Sequence, residues 1–173
     1  PSPSTLTDWD AVSLYIHTVG NSGRSPSPSA YRFDAQLNWG TGEPRENYQA
    51  AYRGNGSGWS IASILFSTST GWRGDAPNNS HDDRGWSASF HIPFASLGFS
   101  GPPAQGSIWG LALMLHDRDD SAGNSIPEKT WPEAVSGDIP ETWGQLRFGI
   151  PIYTAPPATP GGTVVIREGE MRR

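Results

Sequence analysis

Cysteine is absent from the 173 residues, which removes disulfide staples and thiolate metal sites and leaves the fold to be held by its core. No apolar run approaches the roughly 20 residues a helical membrane span requires, and no charged-then-apolar leader is present. Basic residues are few and scattered, 12 Lys and Arg against 17 Asp and Glu, giving a net charge of −5. Such a surface has no stripe to neutralise phosphates, so nucleic acid is excluded as a partner class. Long helices have little room, because 21 Gly and 16 Pro punctuate the chain. Enzyme signatures are scarce too. The four histidines, at 17, 81, 91 and 116, lack zinc spacing, and no Ser sits in a Gly-x-Ser-x-Gly elbow.

What is present is short-period alternation. Val12, Leu14 and Ile16 alternate with Ser13, Tyr15 and His17, and Tyr31, Phe33, Ala35 and Leu37 share one face of a second strand. "YQAAYRG" and "WSIASILFS" flank a Gly-rich turn and predict a hairpin over 48–66. Residues 67–84 carry almost no apolar periodicity and read as a long exposed loop. "GWSASFHIPFASLGF" reads as a half-buried strand ended by Pro93, with Phe94 and Leu97 capping the core and Gly98 allowing a reversal. "SIWGLALMLHD" is long enough to cross a core, and "WGQLRFGIPIY" alternates again after a polar loop. Seven or eight strands with regular turn signals predict an all-β antiparallel β-sandwich, two sheets of jelly-roll-like or immunoglobulin-like architecture with long polar loops. Residues 1–8 read as a linker end, 9–153 as the sandwich, 154–162 as a Pro-rich tether and 163–173 as a further strand and tail.

Eight tryptophans in polar surroundings supply the chemistry. A pyranose ring lays its C–H face on an aromatic ring while amides, carboxylates and Arg bond its hydroxyls, which calls for Trp on loops beside polar groups. Trp72 and Trp131 lie in polar stretches, where each serves either as a binding ring or as a plug at the end of the sandwich, and Trp9 and Trp39 stand at strand ends, where a structural role is the other reading, whereas Trp86 and Trp109 fall inside strand patterns and read as core. Asp117, Asp119 and Asp120, in "HDRDDSAGN", alternate as calcium ligands do, without EF-hand spacing; solvated loop acids are the other reading. Sequons at Asn55 and Asn78 are compatible with glycosylation.

The order "WDAVSLYI", "AYRFDAQL", "GWSASFHIPFASLG", "SIWGLALMLHDRDD", "TWPE", "TWGQLRFG" resembles the family 9 carbohydrate-binding modules over residues 8–150. The resemblance implies a non-catalytic, extracellular or cell-surface β-sandwich, often calcium-bearing, that binds polysaccharide. It is not complete: the family has Glu where this chain has Ser13, and Gly137 stands where the family carries a sugar-clamping Trp. The family also has several strands ahead of the Asp-Val element, on which this chain almost begins, so the resemblance implies strand exchange with another chain or with an N-terminal part of the same chain as an expected partnership. A structural domain of a surface filament, layer or adhesin using strand addition is the alternative function, and a glycoside-active enzyme is the third.

Overall fold

The computed structural model describes residues 2–37, 44–74, 85–118 and 126–149. Among the described residues nine strands form two sheets: β1 (Ala11–His17), β2 (Ala30–Gln36), β3 (Gln49–Gly54), β4 (Trp59–Ile61), β5 (Ser67–Trp72), β6 (Trp86–His91), β7 (Ile108–His116), β8 (Lys129–Trp131) and β9 (Gly144–Arg147). The larger sheet runs β4-β3-β2-β1-β7-β8, with β9 also on β7, and the smaller is the antiparallel pair β5-β6. All pairings are antiparallel, as an all-β sandwich requires.

Register follows from side-chain parity. Leu14 faces Phe33 on one side and Leu113 on the other, so the odd residues of β7 and the even residues of β1 form one apolar layer. That layer packs Ile16, Tyr31, Phe33, Ala51 and Trp109 against Phe66, Phe90, Ile92, Phe94 and Leu97 from the opposing side. Pro93 and Gly98 behave as the sequence predicts: a 3-10 turn, Phe94–Leu97, follows β6, and Gly98 closes it at φ +86°, where a Cβ would be strained.

Four sequence expectations differ from the structure. Residues 67–84 are not wholly loop, because Ser67–Trp72 pairs with all of β6, from Ser67↔His91 to Trp72↔Trp86. "TW" at 130–131 belongs to β8, held on β7 by Leu113↔Trp131. The hairpin at 48–66 is confined to β3 and β4, and the chain then crosses to the second sheet, where Phe66 joins the core. Pro3–Asp8, within the stretch read as linker end, is a 3-10 turn with Leu6 buried. The tether at 154–162 and the strand expected at 163–173 lie outside the described residues.

Candidate functional site

The far face of the larger sheet is polar where a sandwich exterior is usually solvated, yet it is closed. Ser13, Asp34 and His116 are all buried there, on β1, β2 and β7. Ser13 Oγ donates to Asp34 Oδ1 at 2.6 Å and lies 2.9 Å from His116 Nε2. His116 Nδ1 is 2.9 Å from Glu128 Oε1. Arg32 completes the group by donating through Nε and Nη2 to the two oxygens of Asp34, at 2.8 and 2.7 Å. Burial opposes charge on Arg32, but its bonds to the carboxylate prevail and raise its pKa. Burial also pulls His116 below its ordinary value, with Glu128 acting in the opposite sense.

The connectivity Ser13–His116–Glu128 is that of a serine–histidine–acid triad. Two observations remove the nucleophile. Ser13 has no exposed surface, and its hydroxyl proton is given to Asp34 rather than to the imidazole. The group is a cross-brace between strands, and Ser13 fills the position where the resemblance leads one to expect Glu. Beside it Tyr15, Trp59 and Trp143 pack together, with Trp59 and Trp143 parallel at 6.4 Å and Trp59 Nε1 donating to Asp138. Gly137 is forced here: a Cβ would come within 2.6 Å of the Tyr15 hydroxyl.

Among the four tryptophans expected to bind sugar, Trp131 and Trp9 are accessible, at 50% and 62% exposure. Trp72 is half-buried opposite Trp86 across the β5–β6 ladder, because its strand carries it against the second sheet's partner rather than into a loop. Trp39 lies outside the described residues. Trp131 shares its face of β8 with Lys129, two residues back, and its ring rests over Gly144, where a Cβ would approach within 3.0 Å of Cη2. Lys129 Nζ is 3.7 Å from Asp117 Oδ2. Around the strand lies an open hollow of about 580 Å³ lined by Met114, Glu128, Lys129, Thr130, Glu133, Ala134 and Val135. Ala134 sits at φ +58°, an uncommon conformation for a residue with a Cβ and one that concentrates at binding sites. The accessible ring and the Lys129–Asp117 ion pair thus share one face of β8, that of Leu113 and Leu115, while Thr130 and the hollow beside Met114 and Val135 lie on the other face.

Lys129, Thr130 and Glu133 did not stand out in the sequence, although "EKTWPE" encloses Trp131 in charge on both sides. Of the expected calcium ligands, Asp117 faces Lys129, and Asp119 and Asp120 lie outside the described residues. Among the described residues no three His, Cys, Asp or Glu side chains are gathered to hold a cation. No helix there is long and apolar enough to cross a membrane.

No protein-family model and no curated protein matches the chain. Solved structures do. A family 9 carbohydrate-binding module from Caldicellulosiruptor kristjanssonii in complex with glucose superposes with a TM-score of 0.55 at 15% identity, over 90% of this chain and 70% of that one. A family 9 module from the same organism in complex with cellotriose gives 0.52 at 16%, over 89% and 69%. With two antiparallel sheets in common and so little sequence shared, the chain is a β-sandwich with a fold like that of the family 9 carbohydrate-binding modules.

Proposed function

We propose that this chain is a non-catalytic carbohydrate-binding module whose site is built on β8. The observation that carries the reading is Trp131: half exposed on a strand, seated over a glycine, and flanked on its own face by the Lys129–Asp117 pair. A pyranose would stack on the ring, and the Lys129 ammonium and Asp117 carboxylate on the same face would bond its hydroxyls. The complexes of its structural neighbours with glucose and cellotriose support saccharide as the ligand class. Placement outside the cell, and a calcium ion organised by Asp117, Asp119 and Asp120, belong to the same proposal.

Titration calorimetry and retention on insoluble polysaccharide, with glucose, cellotriose and a panel of β-glucans, test it. Trp131→Ala lowers affinity by about tenfold or more, roughly 1.4 kcal/mol, whereas Trp72→Ala, half-buried in the sheet, changes it little. Binding unchanged in Trp131→Ala removes this site. The second reading, a structural domain, draws on the 37% exposure of Leu113 beside Trp131; sedimentation showing concentration-dependent assembly without saccharide binding would favour it.

A further inference from the structure

At the side of the larger sheet away from β8 the last strand is β4. It lies in a run, residues 54–72, that contains no Asp, Glu, Lys, Arg or His. Ser60 is exposed, Ile61 is 64% exposed, and Leu65, on the chain leaving the strand, is 78% exposed. Lateral strands are ordinarily defended against a further strand by Lys or Pro, and Trp59-Ser60-Ile61 has neither. The backbone groups of this edge can be assigned. Asn55 N–H donates to the Gly58 carbonyl and Ala62 N–H to the Ala51 carbonyl, with Ser60 opposite Arg53 between them. Residues 58, 60 and 62 therefore aim their N–H and C=O groups at β3, and by alternation those of Trp59 and Ile61 point outwards. Among the described residues no strand receives them.

The outward pair is self-complementary. An antiparallel copy of β4, related by a two-fold axis at Ser60, sets each Trp59 opposite Ile61 of the other copy, and both pairs exchange backbone bonds in the two directions. On one face each pair is an aromatic ring against a β-branched side chain, a favourable cross-strand combination. On the other face Ser60 meets Ser60 of the second copy, small and uncharged. The nearest cation is Arg53, opposite Ser60 on β3. Its symmetry mate lies three strand spacings away, about 14 Å, beyond the screening length at physiological salt. After Ala62 the chain leaves for the second sheet, where Phe66 joins the core, so a register centred further along would run off the strand. An edge this short buries less than the roughly 1,200–2,000 Å² of tight specific interfaces, and the association it supports is weak and reversible.

We propose that β4 is a homodimer edge, pairing antiparallel about Ser60 with β4 of a second copy and joining the two larger sheets into one. In sedimentation velocity the full chain, raised from about 10 μM to about 1 mM, shifts from monomer towards dimer. Ile61→Lys, at a position open to solvent, lowers the association constant by about tenfold or more with Tm unchanged. Trp131→Ala, on β8 at the other side of the sheet, leaves association unchanged, so the outcome is independent of the saccharide reading. Opposed residues of a non-hydrogen-bonded pair have Cα atoms about 4.5 Å apart, within disulfide reach. With no native cysteine, Ser60→Cys is expected to oxidise to a covalent dimer far faster than the exposed control Ser100→Cys. Monomer across the whole concentration range overturns the proposal. A dimer that persists in Ile61→Lys or is lost in Trp131→Ala places the contact elsewhere and overturns it too, as does equal cross-linking of the two cysteine variants.

Discussion

Replacing Asp34 by Asn keeps its shape and removes one acceptor from a site where every neighbour is a donor. The carboxylate accepts from Ser13 Oγ and Arg32 Nε at Oδ1 and from Arg32 Nη2 at Oδ2. An asparagine oxygen can serve one of these positions, and its NH2 then faces either the guanidinium or the serine hydroxyl. Breaking a buried pair costs about 3–5 kcal/mol, because the surviving charge is left uncompensated. Asp34 is fully enclosed, but the Arg32 side chain is 22% exposed, so water softens the loss and the lower end, about 3 kcal/mol, applies. In a chain of this length that corresponds to roughly 6–12 °C in Tm. The assay is urea unfolding followed by tryptophan fluorescence, at low salt and at about 1 M salt, where screening would abolish a surface pair but not this one. A loss below about 1 kcal/mol, or one that vanishes in salt, would falsify the account of the network as a buried brace and return it to the class of surface ion pairs.

Burial pushes the Tyr15 phenol up to about 12, against the opposing pull of Arg32. The unfolded phenol ionises from about pH 10, so stability is intact below that pH and falls as pH rises towards 12, by on the order of 2–3 kcal/mol; Tyr15→Phe flattens this alkaline limb in urea titrations. His17 is shifted the other way, lowered by burial and only partly compensated by the Gly20 backbone. Its contribution is present above the unfolded value and declines as pH falls below about 6.5, and His17→Gln reduces that acid loss in melting curves. Gly54→Ala drives a Cβ into the backbone of Pro26 and Ser27 and costs about 3 kcal/mol or more, whereas Gly58→Ala, facing open space, stays within about 1 kcal/mol in the same unfolding assay. Excess calcium raises Tm by several degrees and the rise disappears in Asp119→Ala; superimposable melting curves with and without the ion remove the metal from the proposal.

What the sequence disclosed, and what it hid, divides along one physical line. Strands with an apolar face announced themselves: Leu14 and Ile16 of β1, Tyr31 and Phe33 of β2, and Phe90 of β6 alternate because they share the layer packed between the sheets, although the other face of β1 and β2 is buried as well. β5 did not, because its inward positions include Thr68, which is buried by bonding Arg45 and Gln49 instead of by being apolar. β8 is only three residues long and exists through its pairing with β7, so Trp131 read as a loop residue. Its polar surroundings left exposure and a place plugging the sandwich end equally open, and the charged residues that frame it were within two positions of it. The polar brace was out of reach of any local pattern, since Ser13 meets Asp34 and His116 across 21 and 103 residues of chain.

That brace also bears on which structures the chain refuses. Side chains alternate between the two faces of a sheet, so sliding β2 by one position against β1 would turn Asp34 into the layer of Phe66 and Phe90 and bring Phe33 to face Ser13 and His116. An apolar layer tolerates such a slip with modest loss if volumes are similar, but a carboxylate stranded among phenylalanines does not. Arg32 on the same strand would be inverted with it, so two charges would be misplaced by a single error. Near-miss pairings of the central strands are therefore penalised far more heavily than the brace stabilises the correct one, and the buried charges act as a check on alignment during assembly of the sheet.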